Sequence, residues 1–136
     1  MDSLKMIINA LVLNKLFYCS SVWANASDKN IQKFHLALNF VARIISGIGK
    51  CYHRLKTTAI LWLPVKDTLS YRDSIMTFKC INGLARDCLA RNFLKRSDIH
   101  IQNLRSCNNL NIPKYRTTRG QCSFTYRAVN IWNSLD

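Results

Sequence analysis

The sequence contains no glutamate at all, and its seven acidic residues are aspartates scattered from end to end. Two-metal phosphoryl-transfer chemistry and paired-carboxylate hydrolysis both need acidic side chains held close together. No two aspartates here are near enough in sequence to suggest such a pair. Glycine and proline are also scarce, at four and two residues. That leaves no material for a glycine-rich phosphate cradle, and GxxxxGK[ST], GxSxG and HExxH are all missing. No apolar run approaches the ~20 residues of a membrane-spanning helix. The six cysteines (Cys19, Cys51, Cys80, Cys88, Cys107, Cys122) include no CxxC, the spacing by which one turn offers two ligands to a zinc ion. The nearest approach, Cys51 and His53 with distant His100 and Cys107, is too dispersed to define a metal site. No metal and no cofactor is expected.

What remains is basic and apolar. Twenty Lys and Arg against seven acids give a net charge of +13 over 136 residues, and about half the residues are hydrophobic. Such a chain is long enough to bury a core and too apolar to be a disordered tail. Its charge points to a polyanionic partner, RNA or DNA before an anionic surface. Lys5, the apolar Met6 to Leu13 and the small residues Ala24 to Ala26 imitate a secretory leader. Asn9, Asn14 and Lys15 interrupt that pattern, and cleavage after Ala26 would leave an odd number of cysteines. An intracellular setting, cytoplasm or nucleus, is therefore expected over secretion.

Periodicity predicts an all-α fold, a small bundle of about four to five helices. A helix is expected from Ser3 to about Trp23, with Leu4, Ile7, Ile8 and Leu11 as one stripe. A second spans Lys29 to Ser46, opened by Ser27 or Asp28 and stopped by Gly47. A third, Val65 to Asn82, follows Pro64 and stops at Gly83. A shorter one covers about Arg86 to Leu94. From Lys95 to about Gln121 the pattern lapses into a basic irregular segment, with brief alternation at Leu110 to Ile112, before a closing helix from Ser123 to Leu135. Two domains are expected: a helical bundle over 1–94, and a basic connector with its tryptophan helix over 95–136. Ile8, Leu11, Phe34, Leu38, Val41, Leu69, Met76 and Cys80 should face inward. Trp23, Trp62 and Trp132 are assigned to packing, and His35 to a helix surface or core edge.

Basic residues interleaved with aromatics are the positive functional signal. Lys114-Tyr115-Arg116-Thr117-Thr118-Arg119-Gly120, followed by Tyr126-Arg127, offers cations for phosphates, hydroxyls as extra donors and rings for stacking. Candidate backbone contacts are Lys114, Arg116, Arg119 and Arg127, with Lys50, Arg54 and Lys56 on an earlier basic connector. No residue is assigned a catalytic role.

Five blocks in order carry a family resemblance: "LVLNKLFYCSSVWANAS" (Leu11 to Ser27), "VARIISG" (Val41 to Gly47), "LWLPVKDTLSYRDSIMTFKCINGLA" (Leu61 to Ala85), "IPKYRTTRGQCSF" (Ile112 to Phe124) and "AVNIWNSL" (Ala128 to Leu135). Together they resemble the C-terminal, thumb and post-thumb region of reverse transcriptases from non-LTR (LINE-type) retrotransposons. The resemblance implies an RNA-directed DNA polymerase fragment. Its fingers, palm, metal-binding aspartates and any endonuclease would lie upstream of Met1, and its thumb would grip a template–primer duplex by the backbone. Arg86-Asp87-Cys88, Cys122 and Asp136 depart from the family pattern. The alternative is a helical protein-interaction piece, with no nucleic-acid role, that associates with itself or another protein through a face once packed on the palm.

Overall fold

The computed structural model describes residues 2–47, 63–99 and 106–135, and among them every regular element is helical. The chain divides into two units, Met1–Leu69 and Ser70–Asp136. The division falls within a continuous helix and not near residue 94, because Phe93, Leu110 and Val129 share one core with Cys80.

In the first unit the expected N-terminal helix is a series of shorter pieces. These are α1 (Asp2–Ile8), a π-helical stretch (Asn9–Leu13), α2 (Asn14–Leu16) and α3 (Ser20–Trp23). The wider π turn rotates the apolar register. Leu4, Ile7 and Leu11 consequently face outward, Leu11 at 62% exposure, while Leu13, Leu16 and Phe17 turn in. Cys19 then takes the left-handed conformation, φ 49° and ψ 34°, and turns the chain between Phe17 and Trp23. Both rings thereby reach Phe34, with centroids at 5.5 and 4.9 Å, and the Trp23 indole N–H donates to the Tyr18 carbonyl at 3.0 Å. The hydrophobic pattern runs through this turn unbroken, which is why spacing alone predicts one helix.

α4 (Asp28–Ser46) ends where Gly47 adopts φ 63°, a conformation that costs glycine nothing. Ser27 holds the N-cap position through its carbonyl, which accepts from the Asn30 and Ile31 amides, and not through its side chain. Leu38 is buried with Phe17, Val65 and Leu69, and Trp23 and Phe34 pack around them. Ala42 and Ile45 form a smaller cluster with Ile8 and Val41. Full burial of each leucine, isoleucine or valine among them contributes about 1.5–3 kcal/mol.

α5 (Val65–Ile81) spans the expected helix, and Gly83 at φ 69° follows it. Its buried line is Val65, Leu69, Asp73, Thr77 and Cys80. Met76 is only half-buried, while Ile75 and Phe78 face outward. Two polar residues on the inward face displace the apolar pattern from the true one. The Thr77 hydroxyl returns its hydrogen bond to the Asp73 carbonyl at 2.8 Å.

The second unit closes the latter part of α5 with α6 (Asp87–Ala90), α7 (Arg96–Ile99), α8 (Thr118–Gln121) and α9 (Phe124–Asn133). Cys80, Phe93, Leu110, Ala128 and Val129 form its core, with Trp132 half-buried against them. The alternation at Leu110 yields one antiparallel bridge, to Lys95, and no named strand. One side chain completes it. The Asn133 amide accepts from the Leu110 N–H and donates to the Leu110 carbonyl, both at 2.9 Å. Both backbone groups of a fully buried residue are thus satisfied from the last turn of α9. Trp62, assigned to packing by its sequence, lies outside the described residues.

Candidate nucleic-acid interface

The basic segment between Pro113 and α9 is built by two caps. The Thr117 hydroxyl accepts from the Gly120 amide at 3.2 Å and opens α8; the Ser123 hydroxyl accepts from the Tyr126 amide at 3.4 Å and opens α9. Between them, Gly120 has a steric role. A Cβ placed there would lie 2.8 Å from the Tyr115 Cβ and 2.9 Å from its Cγ, too close for any side chain. The missing side chain at 120 is the seat of the Tyr115 ring. The segment read as irregular therefore has defined turns, too short to carry a helical period.

Three of the candidate cations sit on this scaffold. Lys114, Arg116 and Arg119 are exposed, and none makes a hydrogen bond or ion pair among the described residues. Arg127 is placed differently. Its Nε donates to the Asp73 carboxylate at 2.8 Å, with the aspartate side chain 1% exposed and the arginine 23%. Its Nη1 also reaches the Cys122 carbonyl at 3.5 Å. Arg127 neutralises a buried acid, which commits its Nε and Nη1 donors within the fold. Lys50, Arg54 and Lys56 lie outside the described residues.

Beside Lys114 is a depression of about 530 Å³, bordered by Arg96, Asn111, Lys114, Tyr115, Gln121 and Tyr126. The Tyr115 and Tyr126 rings meet edge to face, with centroids 6.2 Å apart. Arg96 donates from Nη1 to the Ser106 hydroxyl at 2.8 Å, which fixes the guanidinium. No carboxylate among the described residues lines the depression. Arg96 and the two amide residues were missed in the sequence. They converge only through the Lys95–Leu110 bridge and α8, and neither Arg96 nor Asn111 belongs to the basic–aromatic run.

His35 borders a separate groove of about 580 Å³ in the first unit, where Lys66 bonds Asp28 at 2.9 Å. Hydrogen bond and charge from Lys66 together hold the Asp28 carboxyl below its ordinary value. Among the described residues no three His, Cys, Asp or Glu side chains gather as metal ligands. Cys51, His53 and His100 lie outside that set, and Cys107 is half-buried. Cys19, Cys80, Cys88, Cys107 and Cys122 are free thiols. No helix among the described residues is long and apolar enough to cross a membrane.

Comparison with protein-family models, curated proteins and solved structures finds no match for this chain.

Proposed function

We propose that the chain is a helical, non-catalytic module of the reverse-transcriptase thumb and post-thumb type, which holds RNA or DNA by its backbone without sequence preference. The observation that carries the reading is the set Lys114, Arg116 and Arg119, exposed, unopposed and held on a capped segment. The net charge of +13 and the resemblance of the five sequence blocks support it. Backbone binding releases counterions, so affinity falls linearly with salt on logarithmic axes. Replacing the three cations with alanine should lower that slope by about two to three. A charge-matched variant at Lys15, Lys29 and Lys33 should leave the slope near the parent's. Fluorescence anisotropy over a salt series measures both, and equal slopes for parent and triple variant would sink the assignment.

A second reading, self-association, is favoured by a separate observation. Leu36, Phe40 and Ile44 stand four residues apart along α4 at 61%, 62% and 49% exposure, an apolar line on one helix face. Sedimentation equilibrium of the parent and of Phe40→Glu tests it; concentration-independent monomers in both would remove it.

A further inference from the structure

We propose that the depression between Tyr115 and Tyr126 holds one unpaired nucleotide of a single-stranded RNA or DNA. The inference rests on the backbone-binding reading and adds to it a place for a base. The phosphate, the base face and the base edge of a nucleotide each have a counterpart here. For the phosphate there are Arg96 and Lys114, with no opposing carboxylate among the lining residues. For the planar base there is Tyr115, 39% exposed, whose ring is seated against Gly120 and meets Tyr126 edge to face. For the base edge there are Asn111 and Gln121. Their side-chain amides make no hydrogen bond among the described residues, and each offers a donor and an acceptor.

The volume, about 530 Å³, falls in the range of small-ligand sites and suits one nucleotide, not a helical segment. A paired base in a duplex has both faces stacked and its edge occupied. Only a base turned out of the stack can present a face to Tyr115 and an edge to the two amides. An inorganic anion would leave the rings and amides unused, and an apolar ligand would leave two cations uncompensated. A nucleotide uses all of them. The 2′-hydroxyl distinguishes RNA from DNA, so both strands belong in the test.

The experiment measures binding of the full chain to short single strands of RNA and of DNA, and to a duplex of equal phosphate number. Parent, Tyr115→Leu, Tyr115→Phe and Gln121→Ala are compared over a salt series. The parent should prefer single strands. Tyr115→Leu should lose about tenfold on them, with its salt slope and duplex binding unchanged, because a stacking face has gone and no charge has. Tyr115→Phe should bind like the parent. Gln121→Ala, at an exposed position, should weaken single-strand binding without altering the melting temperature. A nucleoside monophosphate should compete with the strand for the parent and not for Tyr115→Leu.

Leucine binding as well as tyrosine, or phenylalanine losing as much as leucine, would overturn the site. Equal affinity for single strand and duplex, lost in the lysine–arginine triple variant but untouched by Tyr115→Leu, would remove the pocket and leave the backbone reading standing. No salt-dependent binding by the parent would remove both.

Discussion

A carboxylate on the inward face of a helix needs a partner, and Asp73 takes Arg127 from 54 residues further along the chain. The pair is held at 2.8 Å, and the second carboxylate oxygen of Asp73 is buried with no hydrogen-bond partner among the described residues. Removing the cation would strand the charge. Arg127→Met should therefore cost about 3 kcal/mol, toward the lower end for a broken buried pair because the arginine is partly exposed. It should leave the salt slope of nucleic-acid binding unchanged. Urea unfolding and anisotropy read the two effects separately. The contrast with Lys66 and Asp28 is instructive, since those side chains are 70% and 88% exposed. Asp28 is more acidic in the folded state than in the unfolded one, through its hydrogen bond to Lys66 and the charge beside it. Its contribution is therefore present above the ordinary value of 3.8 and fades as pH falls through the lower folded value. Lys66→Met should remove a small contribution at neutral pH and nothing below the folded value of Asp28, so that stability falls slightly less steeply into acid. Urea midpoints between pH 5 and about 2 measure it. Neither pair was legible in the sequence, because charge pairing across such separations is decided by packing.

At the scale of elements, legibility followed the strength of the local signal. α4 was legible because a long amphipathic period ends at Gly47, and α5 because it runs between Pro64 and Gly83; both glycines take positive φ. The N-terminal pieces were not. A left-handed Cys19 and a π turn leave no mark in an apolar pattern that continues across them. α8 escaped because four residues cannot show a period, although Thr117 and Ser123 as paired caps were a readable signal. The inward face of α5 was misread by about one residue through Asp73 and Thr77. A core-mutant pair tests the corrected face. Leu38→Ala, 3% exposed, should cost about 2–5 kcal/mol, and half-buried Met76→Ala clearly less. Denaturant midpoints at constant m-value decide it, and equal costs would return Met76 to the core.

At the scale of the whole molecule, the fold class was legible from periodicity, and the partner class was expected from net charge. The division into units was not legible. Leu110 lies in the core and exchanges two hydrogen bonds with the Asn133 amide, so the stretch read as a connector is bound into the second unit. Lys114, Arg116 and Arg119 could be picked from the basic–aromatic run. The amides of Asn111 and Gln121 could not, because only the folded backbone brings them beside Tyr115 and Tyr126.

The outward apolar line of Leu36, Phe40 and Ile44 has a colloidal consequence. Like charge keeps copies of a +13 chain apart even when each carries a sticky helix face. A polyanion that cancels the charge removes the repulsion and leaves the stickiness. Titrating a long homopolymer into the protein should therefore produce turbidity that peaks near thirteen phosphates per chain and clears again in excess. Phe40→Glu should lower the peak far more than the loss of one charge would predict. Light scattering across the titration follows the whole course, and the variant's curve separates cohesion through α4 from simple charge neutralisation.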